Sequence, residues 1–277
     1  MKLRLLWIAC LLSILISCSS ENDSLIKIHT RHGDIFAVLY DQTPEHKENF
    51  IKLAKAGRFD STQFHRIIDN FMIQAGDVFT KEGLPEDEWY TLPAEFNEEL
   101  IHEKGAIAAA RQGDNINPEK RSSGCQFYIV EGKVYTALEL TTDMRRLQKQ
   151  FMKYISLESN KELAKRYAEL YAFGDFSAMN DLMLSKKVIM EDFYDINLDK
   201  KLTPQQIEAY TSEGGTPHLD EGGYTVFGKV IKGLDVVDKI SAEKTNQMDQ
   251  AKVPVYITVE VEEMSKKKIT KDYGFEY

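Results

Sequence analysis

The sequence predicts a mainly β protein: a closed antiparallel β-barrel capped at its ends, with an inserted α-helical segment. Short runs of alternating apolar and polar residues recur before residue 131 and again after residue 213, with only two helical patterns among them. Many short strands with so few helices favour a sheet closed on itself. A further observation predicts the insertion. Residues 131–213 are rich in Leu, Met, Lys, Glu and Ala and contain no proline before Pro204.

Ile26-Lys27-Ile28-His29-Thr30 alternates and reads as a half-buried strand. His32-Gly33-Asp34 turns the chain, and Ile35 to Tyr40 returns as the second strand of a hairpin. Thr43-Pro44 starts a helix, because threonine suits the N-cap and proline suits the first helical position, where no N–H is needed. Phe50, Leu53 and Ala54 share its buried face, and Gly57 stops it. Thr62–Ile68 and Phe71–Ala75 are strand-like. Gly105–Ala110 is small and apolar, suited to close approach of another backbone. Gln126–Val130 and Tyr224–Val230 add strands, Leu234–Ile240 is a short amphipathic helix, and Val255–Val261 alternates as a closing strand.

Within the insertion, Leu147, Phe151 and Ile155 recur every fourth residue, as do Leu163, Tyr167 and Tyr171, with Leu170 beside them. Ser177 is placed to cap a helix carrying Leu182 and Met183, and Thr203-Pro204 starts another that reaches Tyr210. Three or four amphipathic helices follow, packed together or onto the barrel. There is no heptad run and no internal repeat. A loop tip is where a barrel best tolerates such an addition.

At the start of the chain, Lys2 and Arg4 precede an apolar run from Leu5 to Ile16. Its length of about 12 residues fits an export signal and falls short of the roughly 20 that span a bilayer. Leu15-Ile16-Ser17-Cys18 resembles the lipobox of bacterial lipoproteins. That resemblance implies a signal peptide over 1–18, lipid on Cys18, and membrane attachment through that lipid. Residues 19–24 read as a polar tether. The acidic residues after Cys18 resemble export tags of surface lipoproteins. The expected location is the bacterial cell envelope, lipid-anchored at the outer membrane on its periplasmic or surface side.

Of 3 cysteines, Cys10 leaves with the signal, Cys18 carries lipid and Cys125 alone remains. No intramolecular disulfide is then expected, and stability rests on the core, for which the chain is long enough. Cys125 itself reads as a small buried filler. The net charge of −9, made more negative by loss of Lys2 and Arg4, argues against a nucleic-acid partner. Lys266-Lys267-Lys268 is offset by nearby acids and reads as part of a solvated tail over 265–277.

The chemistry is concentrated in Phe64-His65-Arg66-Ile67-Ile68-Asp69-Asn70-Phe71-Met72-Ile73-Gln74-Ala75-Gly76-Asp77. A guanidinium (Arg66) and an amide (Gln74) stand among apolar side chains (Phe71, Met72). A core arginine is costly without an acid partner, for which Asp69 and Asp77 are the nearby candidates. The mixture instead suits a site that holds an apolar ring and aims donors at an amide. An X-Pro bond rotates over a barrier of roughly 18–20 kcal/mol because resonance stiffens it. Rotation breaks no covalent bond, so it needs no nucleophile, metal or cofactor. Twisting returns a lone pair to the prolyl nitrogen, where an arginine's planar fork can donate. His65 reads as a structural histidine, because this reaction transfers no proton.

The wording of this stretch resembles the active-site strand of cyclophilins, the peptidyl-prolyl cis-trans isomerases. Further stretches match in the family's order: Ala106 to Ala110, Gly124-Cys125-Gln126-Phe127-Tyr128-Ile129, and Thr216-Pro217-His218-Leu219-Asp220. The resemblance implies eight strands with two capping helices, made from 25–130 and 214–264 around the insertion at 131–213. It implies catalysis by Arg66 with Gln74 holding substrate backbone. It also implies a proline pocket from Phe71, Met72, Gln126, Tyr128 and Leu219, and a backbone-pairing groove at Ala110. Three positions depart from the family's usual residues and are still expected to bind substrate: Arg111 (commonly asparagine), His218 (often tryptophan) and Tyr224 (near a familiar histidine, after one extra residue). Phenylalanine is usual at Tyr128.

The expected function is therefore a peptidyl-prolyl cis-trans isomerase that acts on proline-containing polypeptides and folding clients among exported proteins, with neither cofactor nor metal. The alternative is a chaperone or docking module that binds proline segments with little turnover. The ends of the insertion adjoin Tyr128 and Leu219, which places the helices beside the cleft.

Overall fold

In a computed structural model of the chain, residues 21–277 are described. The expected signal peptide and the lipidated Cys18 lie outside them. Strands run β1 Asn22–Thr30, β2 Gly33–Leu39, β3 Arg66–Ile68, β4 Met72–Ala75, β5 Thr91–Leu92, β6 Ala106–Ala109, β7 Ser122–Ser123, β8 Phe127–Val130, β9 Val226–Lys232 and β10 Thr258–Ser265. Helices run α1 Pro44–Lys55, α2 Val78–Glu82, α3 Ala137–Leu140, α4 Met144–Ile155, α5 Lys161–Phe173, α6 Phe176–Leu184, α7 Lys187–Tyr194, α8 Pro204–Ser212, α9 Leu234–Ser241 and α10 Lys266–Tyr273. No helix among the described residues is long and apolar enough to cross a membrane.

Eight strands form one antiparallel sheet in the order β10-β1-β2-β9-β6-β8-β4-β3. The expected closed barrel is not formed. β10 and β3 remain edges, and no ladder joins them. The backbone explains why: the chains approach chiefly ahead of these strands, where Ser61 N donates to Ile257 O at 3.0 Å, Ile257 N to Thr62 O at 2.8 Å and Phe64 N to Val255 O at 2.9 Å. A single bridge, Gln63 to Tyr256, is all the pairing there. The strand expected over Thr62–Ile68 is thus reduced to Arg66–Ile68. β5 and β7 form a separate two-stranded ribbon that the sequence does not announce.

The main core lies on one face of the sheet. Ile73 and Ala75 of β4, Phe127 and Ile129 of β8, and Ile107 and Ala109 of β6 point into it, with Phe50 and Leu53 of α1 and Val237 and Ile240 of α9. Side chains alternate along a strand. Met72, Ala108, Tyr128 and Val130 therefore project to the opposite face, where they form a second cluster with Leu219 and Val226.

Two terminal expectations are corrected. Asn22–Ser24, assigned to a tether, belong to β1, and Asp23 and Ser24 are buried there. Lys266–Tyr273 is a helix and not a solvated tail, because Ile269 is buried against Leu25, Val38 and Met264. Capping also differs in detail. Thr43 makes no side-chain cap; Glu95, distant in sequence, accepts from Glu45 N at 3.1 Å and His46 N at 3.0 Å. Asp175, not Ser177, caps α6 through Ala178 N. Thr203 does cap α8, in a reciprocal box with Gln206.

The stretch from Ala137 to Ser212 holds six α-helices, more than the three or four expected. Leu147, Phe151 and Ile155 are buried as their spacing predicts, against Met183, Leu184, Met190 and Leu198. The stretch leaves and rejoins the sheet at one place. Lys133 and Gly215 form a bridge, with Gly215 N donating to Lys133 O at 3.1 Å.

Candidate active site

The sheet's register builds the site. Arg66 on β3 lies opposite Gln74 on β4, Gln74 opposite Tyr128 on β8, and Tyr128 opposite Ala108 on β6. Directly paired residues share a face. One cross-strand row thus sets a guanidinium, an amide, a phenol and a methyl side by side, away from the core.

Arg66, Gln74 and Tyr128 of this row border a cleft of about 730 Å³. Of the residues expected from sequence, Arg66, Phe71, Met72, Gln74, Ala110, Arg111, Gln126, Tyr128, Leu219 and Tyr224 all line it. His218 does not. It stacks on the ring of Phe71, with centroids 5.5 Å apart. Trp89, Tyr90, Ile116 and Arg121 also line the cleft and were not expected. The Trp89-Tyr90 pair beside Glu86-Asp87-Glu88 is the one sequence signal for them.

Arg66 is available. Its side chain is 46% exposed, and its one carboxylate neighbour, Asp249, stands 3.9 Å from Nε. Neither Asp69 nor Asp77 pairs with it. Asp77 instead orients the amides. Gln126 Nε2 donates to Asp77 Oδ1 at 3.0 Å, and Gln74 Nε2 donates to Gln126 Oε1 at 2.9 Å. A carboxylate accepts only, so Gln126 turns its NH2 to Asp77 and its oxygen to Gln74. Gln74 is then left with a carbonyl oxygen to offer a substrate N–H.

Arg111 behaves differently from Arg66. Its side chain is 4% exposed and its fork is occupied. Nε donates to Gly223 O at 2.8 Å, Nη2 to Gly222 O at 2.6 Å, and Nη1 to Gln112 O at 2.8 Å and Asp114 Oδ1 at 2.7 Å. The guanidinium also lies 4.4 Å from the centre of the Tyr224 ring. Arg111 thus fixes the 222–224 turn and stacks Tyr224 against the cleft, where the sequence suggested direct peptide contact.

Beneath the cleft is a polar network that sequence reasoning missed. The Tyr128 hydroxyl lies 3.0 Å from His102 Nε2, and His102 Nδ1 lies 2.8 Å from Asp220 Oδ1. Asp220 Oδ2 accepts from Tyr210 Oη at 2.5 Å. Burial pushes the Asp220 carboxyl up, but hydrogen bonds from His102 and Tyr210 outweigh it and hold it below the usual range. Burial likewise drives the Tyr128 phenol well up, so it stays a neutral hydroxyl.

His65 sits at the cleft edge, and burial lowers it below its ordinary value, with Asp77 offsetting part of the effect. Burial raises the Cys125 thiol, which suits a filler and not a nucleophile. Among the described residues no group of three or more His, Cys, Asp or Glu is placed to hold a metal ion.

Comparison with known proteins places the chain in a family. The family described as cyclophilin type peptidyl-prolyl cis-trans isomerase/CLD matches residues 25–174 and 196–261. The chain belongs to that family, and its activity class is peptidyl-prolyl cis-trans isomerisation. It is 31% identical over 243 residues to a protein of Streptococcus pyogenes named as a bifunctional phosphatase/peptidyl-prolyl cis-trans isomerase, covering 85% of this chain and 38% of that protein's length. It is 28% identical over 248 residues to a Staphylococcus epidermidis protein named as a peptidyl-prolyl cis-trans isomerase, covering 88% of this chain and 94% of the relative. A crystal structure of a cyclophilin type isomerase from Cryptosporidium parvum superposes with a TM-score of 0.50 at 17% identity, over 87% of this chain and 98% of that one, a likeness of fold.

Proposed function

We propose that this chain accelerates rotation of X-Pro bonds in exported polypeptides and so assists their folding, with Arg66 as the catalytic donor. The observation that carries the reading is the state of Arg66: exposed on an open cleft that has an apolar wall of Phe71, Met72 and Leu219, beside an amide already aimed, with Asp249 no nearer than 3.9 Å. The proline ring enters among Phe71, Met72, Leu219 and Tyr128. Gln74 accepts from the flanking chain, and Ala110, whose N–H donates to Gln126 O and whose carbonyl accepts from Ser123 N, borders the groove with its small side chain. As the bond leaves planarity the guanidinium donates to the prolyl nitrogen. Only interactions stronger in the twisted state raise the rate, and the ground-state amide nitrogen has no free lone pair to accept. Replacing Arg66 with Ala tests this. Proline isomerisation of a short peptide should collapse in a folded protein, and full activity would remove Arg66 from the mechanism.

The second reading is a module that binds proline segments without turnover. The engagement of Arg111 within the protein favours it, since that side chain is not free to pair with a peptide. Tight peptide binding with negligible rate enhancement would establish it. In either reading residues 131–213 are an insertion between two parts of one domain, 25–130 and 214–264, standing beside the cleft and controlling which clients reach it. Lipid on Cys18 holds the protein at the outer membrane; a Cys18→Ser protein that stays in the membrane fraction would refute this anchor.

A further inference from the structure

We propose that Tyr210 and Asp220 are positioning residues through which helix α8 sets the proline affinity of the cleft. The inference rests on the cleft being the peptide site and adds the helical stretch to its machinery.

Tyr210 is fully buried near the end of α8, and its hydroxyl ends on Asp220 Oδ2. Gln206, one turn earlier, reaches the same oxygen at 3.4 Å. The other carboxylate oxygen takes His102 twice, from its backbone N at 2.9 Å and from Nδ1 at 2.8 Å. Because a carboxylate only accepts, a proton lies on Nδ1. The other ring nitrogen, Nε2, shares a hydrogen bond with the Tyr128 hydroxyl. The Tyr128 ring in turn meets Tyr224 edge-on, with centroids 6.2 Å apart. Asp220 also follows Leu219 directly in the chain.

Both arms of this network therefore end on cleft walls, Leu219 by one covalent step and Tyr128 by way of His102. Its origin lies outside the sheet, on a helix of the 137–212 stretch. His102 and Tyr210 are 1% and 0% exposed, and the Asp220 side chain between them is 13% exposed. A largely buried network with every member satisfied fixes one geometry, and removing one donor leaves an acceptor short of a partner and free to pull its neighbours. Displacement of α8 should then loosen the walls that grip the proline ring and leave Arg66 and Gln74 in place.

Tyr210→Phe in the full chain tests this, with the dissociation constant of a short Ala-Pro peptide read by calorimetry beside its turnover. Kd and KM should rise three- to tenfold, with kcat within twofold of the parent. An unchanged Kd, or a fall in kcat at unchanged KM, would overturn the proposal. A second measurement needs no variant. Peptide saturation should shift the 15N resonance of His102 Nε2 in the parent protein, and a stationary resonance would equally overturn the linkage. Turnover bears on Arg66 and Kd bears on Tyr210, so loss of one reading is separable from loss of the other.

Discussion

Arg66 and Arg111 carry the same functional group into opposite circumstances. Arg66 keeps its donors for a substrate, so replacing it should cost rate and little stability. Arg66→Ala should lower kcat/KM about a hundredfold, or roughly 2.7 kcal/mol of transition-state stabilisation, while the melting temperature holds. Arg66→Lys should recover little, because a point charge on a flexible stem lacks the planar fork. Arg111→Ala should show the reverse emphasis. It strips the partners from Gly222 O and Gly223 O and costs about 2–3 kcal/mol, since hydrogen bonds to a charged group are the stronger kind; chemical denaturation reads this directly. An Arg111→Ala protein as stable as the parent would contradict the contacts described. Arg66 was legible in the sequence because its surroundings, Phe64 to Asp77, are contiguous. The role of Arg111 was not, because two of its partners, Gly222 O and Gly223 O, come from a turn far along the chain, and His102, Asp220 and Tyr210 become neighbours only through tertiary structure.

At the scale of elements the legible features are again the local ones. The β1–β2 hairpin, the start of α1 at Pro44, and the buried stripe of α4 follow from spacing within a dozen residues. Barrel closure, the β5–β7 ribbon and the docking of α10 depend on pairing between distant segments, which periodicity does not encode. The junction of the helical stretch is of this second kind. Gly215 has φ of +151°, and a Cβ built on it would lie 2.4 Å from His102 O. It also forms bridges with both Glu103 and Lys133. Such a backbone is open to glycine and strained for any other residue. Gly215→Ala should therefore destabilise the protein by about 2–4 kcal/mol, measured by urea unfolding, with the loss centred where the helical stretch joins the sheet. Full stability would mean that this junction can relax.

Across the whole molecule, acid stability separates two electrostatic effects of opposite sign. The net charge is −9, so acidification from neutral pH relieves self-repulsion and on that account alone should strengthen the fold. Buried histidines work the other way. His46 has a side chain 2% exposed, Nδ1 2.6 Å from Glu95 Oε2, and Nε2 without a partner. Burial lowers it below its ordinary value of 6.5 in spite of Glu95, and burial lowers His65 as well. In the unfolded chain these rings take up protons near 6.5; in the folded protein they resist until lower pH. Between those limits the unfolded state binds more protons, so stability must fall as pH falls. A second decline follows below about 4.5, where Glu82, Glu243 and Glu263 are held down, chiefly by hydrogen bonds to Arg58, Arg31 and Lys55, and must be protonated. These pairs are exposed to solvent and contribute less than the buried rings. The melting temperature should therefore drop between pH 7 and pH 5, and His46→Gln should flatten that step while leaving the carboxylate decline in place. A parent protein whose melting temperature rises over the same interval would show that net repulsion, and not histidine burial, governs its response to acid.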